Sequence, residues 1–385
     1  MTVSIWQDKA DQRRHECDVA VVGAGIVGSY LAYALSLRGL DVAVLESRFP
    51  AAGATGRNAG MVLTGLGEYY NTAVAALGRD TARTVWEITL ENGRRTRRLH
   101  DELGLPYEAV GSLLLAVDEA ESQDLRAAYE LMQADGLPGV YHASDPLERG
   151  FVAALEQPQD LGVHPAAFAE ALLQASGATV FENSEVYRLT PHPDGTTTVR
   201  SRRATVHADH VLLATNGYSP LLHPAFKGSV LPMRGQVLVT APASRLLETL
   251  CYADYGYEYF RQLGDGRVLL GGWRKNHLET EVGYTDEVTP EIQSGLEGFL
   301  HKYLPDAPAE IEARWSGVMG FTPDDLPLVG VLDDLPGVGY AVGFSGHGMG
   351  LGLAAADSLI ELVLDGGPEG PFSARRFTAA EGDPP

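Results

Sequence analysis

The sequence predicts an α/β protein. A parallel-sheet domain is assembled from discontinuous segments of chain, and an α+β domain with a mainly antiparallel sheet is inserted into it. Three observations predict this. Residues 18–46 read as strand, glycine-rich turn, helix, strand and closing carboxylate. From Leu231 the texture changes to short strands joined by hairpin turns such as Asp265-Gly266. Past residue 338 the opening texture returns, an apolar strand followed by a long helix. The 385 residues exceed what one small core needs and suit two domains.

The first element is Asp18-Val-Ala-Val-Val-Gly23-Ala-Gly25-Ile-Val-Gly28, ahead of an apolar helical repeat (Ala32, Leu35, Leu37), Gly39, and Val42-Ala-Val-Leu-Glu46. Gly23 permits a tight turn. Gly25 keeps side-chain bulk away from a pyrophosphate, and Gly28 lets the helix close on the strand. The helix N-terminus offers N–H groups and a positive dipole end to phosphate. Glu46 lies about twenty residues on, where a carboxylate accepts both hydroxyls of an adenosine ribose and repels a 2′-phosphate. In this context the glycines mark a Rossmann-like dinucleotide site, with NADP disfavoured.

The later elements follow in order. Residues 53–61 are polar and glycine-rich. Residues 77–103 read as a helix with Val85, Ile88, Leu99 and Leu103 inward, and 109–117 as a strand. Asp118 caps a helix to about 134, and His164-Pro165 opens another to about 176. Residues 179–189, 196–201 and 210–214 read as strands, with Asp194-Gly195 as a hairpin turn. Strands are expected at 232–240, 252–262 and 267–273, a helix at 290–303, a strand at 339–342 and a helix at 350–364. The expected division is 1–100, 150–228 and 315–377 for the nucleotide-binding part and 101–149 with 229–314 for the substrate part. The tail, 378–385, is expected to be disordered.

A formal charge of −22, from 29 basic and 51 acidic side chains, opposes nucleic acid and anionic membrane. Arg94, Arg95, Arg97 and Arg98 cluster around Thr96, as on a solvated helix face. Two cysteines, Cys17 and Cys251, give neither a disulfide framework nor metal spacing. The first sixteen residues lack an apolar signal core, and no apolar run reaches membrane-spanning length. A cytoplasmic protein without metal is the expectation.

Besides the opening turn, four stretches stand in a fixed order: Gly53-Ala-Thr-Gly-Arg57-Asn58-Ala-Gly60, Val211-Leu-Leu-Ala214-Thr215-Asn216-Gly217, Trp315-Ser-Gly317 with Asp324-Asp-Leu-Pro327-Leu-Val-Gly330, and Gly343-Phe-Ser345-Gly346-His347-Gly348-Met-Gly350. Together they resemble the FAD-dependent D-amino acid oxidase superfamily, which includes glycine and sarcosine oxidases, and most closely its amine-oxidising branch. The resemblance implies FAD in the nucleotide site. It implies cofactor contacts at Gly23, Gly25, Ile26, Val27, Gly28, Glu46, Ser47, Arg48, Thr55, Gly56, Arg57, Asn58, Ala59, Gly60, Met61, Val186, Ala214, Thr215, Asn216, Gly217, Gly317, Gly346, His347, Gly348, Met349 and Gly350. The late loop would lie against the isoalloxazine ring, its helix N-terminus favouring the negative charge of the reduced ring. Two departures matter. Relatives that tie FAD to a cysteine do so in the region of 317–322, which here reads Gly-Val-Met-Gly-Phe-Thr, so FAD is expected to be non-covalent. Glycine and D-amino acid oxidases carry a carboxylate-gripping arginine before the proline, where this chain has Thr322-Pro323.

Substrate candidates come from the inserted sheet. Tyr255, Tyr257, Tyr259 and Arg261 alternate, which on one strand puts all four on one face. Such a wall boxes an amine and grips an anion, although tyrosines equally suit strand packing. Arg234, beside Gln236, and the Trp273-Arg274-Lys275 run are further candidates, as is His347 in the ring-facing loop. The catalytic set expected is His347, Tyr259, Arg261 and Arg234. The reaction implied is oxidation of a C–N bond of a small amine or amino acid to an imine, with oxygen taking the electrons to give hydrogen peroxide. A flavin dehydrogenase with another acceptor, a non-catalytic flavin subunit and an NAD-dependent dehydrogenase are the competing readings.

Overall fold

The computed structural model describes residues 13–368 and 370–377. The expected disordered tail, 378–385, lies outside the described residues. The chain divides into two compact units: Met1–Gly56, Pro165–Pro232 and Met319–Pro385 form the first, and Arg57–His164 with Met233–Val318 the second. Residues 57–100 and 150–164, placed with the nucleotide-binding part from sequence, fall in the second unit.

The first unit is built on an eight-stranded sheet. Its parallel core runs Thr179–Phe181, Val42–Leu45, Arg13–Val22, Ala204–Leu213 and Val338–Val342. Val19–Val22 and Val42–Leu45 are buried on both faces and so are apolar throughout rather than alternating. The Asp194-Gly195 turn joins Val186–Pro191 to Thr197–Ser201, which pair antiparallel at one edge. Helix Ile26–Ser36 packs against helices Pro165–Ser176 and Gly348–Leu364. The core mixes apolar residues of all five parallel strands, among them Val22, Leu45, Phe181, Val211 and Val338, with Phe226, Leu328 and Leu335.

The second unit carries another eight-stranded sheet, ordered Ile311–Phe321, Leu231–Pro242, Arg267–Gly272, Glu258–Gln262, Leu250–Ala253, Ser112–Ala116, Ala153–Gln157, Val140–His142. Its pairs are antiparallel except Leu250–Ala253 with Ser112–Ala116. Helix Pro290–Tyr303 covers one face through Leu296, Phe299 and Leu300 against Phe260, Leu238 and Leu270. The opposite face carries Ala59, Met61, Leu63, Val237, Val239 and Leu269 with Tyr252, Tyr259 and Trp315.

Several elements differ from the sequence reading, each for a local reason. The helix expected at 77–103 starts at Arg79, because Gly78, with φ 80°, separates it from an additional helix, Tyr70–Leu77. Asn183, with φ 52°, divides 179–189 into Thr179–Phe181, parallel, and Val186–Pro191, antiparallel. Residues 252–262 are not one strand: Leu250–Ala253 and Glu258–Gln262 are joined by a turn in which Asp254, Tyr255 and Gly256 have φ of 48°, 57° and 78°. The helix caps, by contrast, fall where the residues place them. Asp118 accepts from the Glu121 N–H at 2.9 Å, and Pro165 and Pro290 open their helices.

Candidate active site

In the first unit the opening turn forms as the glycines require. Gly23 has φ 103°, and a Cβ there would lie 2.7 Å from the Ala214 carbonyl oxygen. A Cβ on Gly28 would sit 1.8 Å from the Gly23 oxygen, so no other residue closes the helix onto the strand. Gly25 is the N-cap of helix Ile26–Ser36, which has no N-cap side-chain bond and no acidic residue in its first turn. The Ile26 N–H donates to Thr55 Oγ1 at 2.9 Å, which ties residues 54–57 to the helix start. Val27 and Ile26 pack under Gly352 of the late helix.

Glu46 ends its strand with its side chain largely buried. Its Oε2 accepts from the Ala24 N–H, and its Oε1 from Ser47 Oγ and the Arg48 N–H, each at 2.9 Å. Arg48 in turn donates to the Ala52 carbonyl at 2.8 Å. The carboxylate is thereby fixed at the lip of the glycine turn, with lone-pair capacity remaining for ribose hydroxyls. Val186 lies half-buried at the start of the edge strand, packed against the same core as Leu45 and Phe181. Chemistry and placement of this donor set fit an adenosine diphosphate moiety.

The late loop is knitted to the Ala214–Gly217 turn. Asn216, itself at φ 42°, accepts from the Gly343 and Phe344 N–H groups at 3.0 and 3.4 Å through Oδ1. Gly217 and Gly320 lie so close to Met319 and Asn216 that a Cβ on either would come within 2.8 Å of an oxygen. Gly343, Ser345 and Gly346 all have positive φ, which turns the chain sharply into helix Gly348–Leu364. His347 is that helix's N-cap residue, half-buried, with Nδ1 3.3 Å from the Ser345 oxygen. No N-cap side-chain bond closes the helix start and no acid sits in its first turn, which leaves its positive dipole end uncompensated beside Gly346, Gly348, Met349 and Gly350. That environment suits an electron-rich ring.

A latch missed from sequence holds the stretch after Gly320. Arg376 grips Asp324 with Nε and Nη2 at 2.6 and 2.8 Å and donates to the carbonyls of Leu326, Pro327 and Phe372. Thr322 Oγ1 donates to the Leu326 oxygen at 2.8 Å. No local signal links residues so far apart in sequence.

In the second unit, Arg57 is pinned to strand Ile311–Phe321. It donates to the Ser316 oxygen at 2.7 Å, its own carbonyl accepts from Trp315 Nε1 at 2.9 Å, and it ion-pairs with Asp286. Gly317 makes room for it, since a Cβ there would lie 2.9 Å from Arg57 Cβ. Asn58 Oδ1 accepts from the Gly60 N–H. Arg261, expected in the catalytic set, is buried and holds this same segment. Its guanidinium donates to the carbonyls of Ala59, Gly60 and Val163 and to Glu108 at 2.8 Å. Arg234 is likewise enclosed: Thr280 O, Glu281, Thr285 and the Glu287 carbonyl take both terminal nitrogens. Gln236 joins Glu281, Thr289 and Gln293 in that network.

The four-residue wall is corrected by the turn at 254–257. Tyr259 and Arg261 share a face, but Tyr255 stacks on Tyr69 at 5.3 Å and donates to Asp124 at 2.8 Å, and Tyr257 lies in the turn. Tyr252, not singled out from sequence, is the cross-strand partner of Tyr259, their rings stacked at 5.8 Å. Burial raises both phenols, Tyr259 to about 12, so both stay neutral donors.

A dinucleotide turn, a ribose carboxylate and a late loop shaped for a flat electron-rich ring define a flavin-dependent oxidoreductase. Residues 18–362 match the family model described as FAD dependent oxidoreductase, and the chain belongs to that family with FAD as its cofactor. Neither cysteine lies at 317–322; burial holds the Cys17 thiol at about 12, and Cys251 is also buried. The chain is similar to gamma-glutamylputrescine oxidoreductase of Escherichia coli K12, 27% identical over 371 residues and covering 90% of this chain and 83% of that protein. It is 28% identical over 390 residues to glycine oxidase of Geobacillus kaustophilus, covering 96% and 99%. The fold matches L-proline dehydrogenase from P. horikoshii with TM-score 0.79 at 23% identity, covering 95% and 99%. L-alpha-glycerophosphate oxidase from Mycoplasma pneumoniae with FAD bound matches at TM-score 0.74 and 18% identity, covering 91% and 95%, so the fold alone leaves the bond oxidised open. Among the described residues no helix is long and apolar enough to cross a membrane, and no group of three or more His, Cys, Asp or Glu is arranged to hold a metal.

Proposed function

We propose that the protein oxidises a C–N bond of a small amine or amino acid, with oxygen as final acceptor and hydrogen peroxide as product. The observation that carries this is similarity along nearly the whole chain to proteins named for glycine and for gamma-glutamylputrescine. In balance, the amine loses two electrons and two protons to become an imine, and oxygen gains both pairs as hydrogen peroxide. Bound FAD supplies the two-electron relay. The first unit carries the opening turn, Glu46 and the late loop proposed to hold the cofactor.

This chain's residues do the rest. Tyr252, Tyr259, Met61, Leu63 and Trp315 form one apolar, phenolic cluster. A substrate nitrogen against such a surface is favoured in its neutral, electron-donating form, because desolvation penalises the ammonium. No side-chain base is then needed. His347 and Tyr259 remain the proposed contacts with the reacting groups, whereas Arg234 and Arg261 position backbone around them.

The test is a peroxide screen over amino acids, N-methyl amino acids and polyamine derivatives. Peroxide release with one of these classes is expected. Anaerobic bleaching by an amine without peroxide in air would replace oxygen with another acceptor. A flavin that stays yellow with every amine would end the proposal.

A further inference from the structure

The chain carries six methionines and two cysteines, and burial separates one of these sulfurs from the rest. Met61, Met132, Met233 and Met349 are buried, none more than 7% exposed. Met319 is half-buried, the one methionine among the described residues that keeps contact with solvent. The cysteines stay protonated. Burial pushes the Cys17 thiol up to about 12 and raises Cys251 as well, and the thiolate is the form that oxidants attack.

Met319 is held in place by its own unit, the first. A Cβ on Gly217 would lie 2.8 Å from the Met319 carbonyl oxygen, so the Ala214–Gly217 turn packs directly on its backbone. The Ser345 N–H donates to the Gly320 oxygen at 2.8 Å, and the Thr322 N–H to Ser345 Oγ at 3.2 Å. The backbone of 319–322 is thus tied both to that turn and to the late loop. The side chain also reaches the loop: Met319 Sδ lies 3.9 Å from where a Cβ on Gly346 would stand. Gly346 and Ser345, with φ of 87° and 47°, are the residues that turn the chain toward helix Gly348–Leu364. The thioether therefore rests against the loop read above as facing the flavin ring, where the proposed reaction generates hydrogen peroxide. A thioether is soft and polarizable, has no proton to lose first, and oxidises to the sulfoxide.

We propose that Met319 is a modification site, oxidised to the sulfoxide by the hydrogen peroxide that the reaction produces, and that this step slows turnover. A sulfur lone pair attacks one oxygen of peroxide, and the O–O bond breaks as the S–O bond forms. The departing oxygen takes the proton of the transferred one and leaves as water. Sulfur gives up two electrons, and peroxide is reduced. The product sets a polar, chiral group where an apolar one lay beside the loop. Turnover falls as product accumulates, and methionine sulfoxide reductase restores it. The assignment rests on the flavin-facing reading of the late loop and, for the source of peroxide, on the amine-oxidation reading.

The experiment uses the FAD-loaded full chain. Hydrogen peroxide is added in graded amounts without any amine, and oxidation of each methionine is followed by peptide mass mapping. Met319 is expected to gain one oxygen at least about tenfold faster than Met61, Met132, Met233 or Met349, because buried side chains must wait for local opening. The visible flavin spectrum shifts in step with that oxygen. Met319→Leu, a volume-conserving swap, keeps flavin content and melting temperature and shows no such shift. With an amine substrate, the parent loses turnover as sulfoxide builds up at Met319, and the reductase reverses the loss; Met319→Leu holds its own starting rate through the same exposure. Oxidation first at another methionine, equal rates at all of them, full activity of the sulfoxide form, or a loss of turnover that Met319→Leu shares overturns the assignment. Selective oxidation of Met319 by added peroxide, with turnover unaffected because no amine is oxidised, upholds the modification site while removing the amine-oxidase reading.

Discussion

The opening turn of the first unit and the strained sheet end of the second reach their geometry by opposite routes. In the turn, Gly28 is dictated by Gly23, Gly25 by Thr55 and Glu46 by the Ala24 N–H, all within thirty positions, while Gly23 also answers to the Ala214 carbonyl. At the sheet end, distant segments decide. Tyr255 is held by Tyr69, Glu121 and Asp124, all more than 130 positions upstream. The difference teaches that the opening turn is written largely by local sequence, whereas the sheet end is assembled from remote parts.

The sharpest way to break this comparison is Gly28→Val. A side chain 1.8 Å from a backbone oxygen has nowhere to go. We expect loss of essentially all flavin absorbance and a destabilisation of about 3 kcal/mol or more. Arg261→Met tests the remote side. Removing a buried guanidinium that holds three carbonyls and Glu108 should lower stability by about 3 kcal/mol in denaturant titration. If Arg261→Met instead changes only turnover, the clasp reading is wrong.

Glu258 sharpens the contrast through pH. Burial, with Asp254 and Glu121 nearby and only partly offset by Lys275, raises its carboxyl to about 8. A raised acid favours folding in its protonated form, so this contribution is complete below the ordinary carboxylate range and is lost as pH climbs through about 8. Glu258→Gln should therefore gain stability relative to the parent between pH 5 and 8, by about 2 kcal/mol, and little below pH 4. Asp160, raised to about 6 by burial, acts with the same sign between roughly pH 4 and 6. The smallest effect expected is Glu46→Ala. It should speed flavin loss on dilution about tenfold and barely change substrate KM, because the ribose contact is one of several. Full flavin retention by that variant would remove Glu46 from the site.

Much of the fold was legible because its signals are short-ranged. The Gly23–Gly28 spacing, the Asp118 cap, the prolines at 165 and 290, and the Asp194-Gly195 and Asp265-Gly266 turns each act within a few residues. The turn at 254–257 was not legible, because alternating tyrosines mimic a continuous strand and two of the positive-φ positions are not glycine. Arg261 and Arg234 were read as reaching outward; only the folded chain brings Glu108, Glu281 and a row of carbonyls around them.

The Arg376 latch bears on how the protein can be trimmed. Similarity to the family runs out at residue 362, which invites a shortened version ending there. Such a version discards the guanidinium that clasps Asp324 and the carbonyls of Leu326 and Pro327, and so frees the bend leading from Gly320 toward the late loop. The boundary recognisable by ancestry stops short of the boundary required by mechanics, and expression designs ought to respect the second.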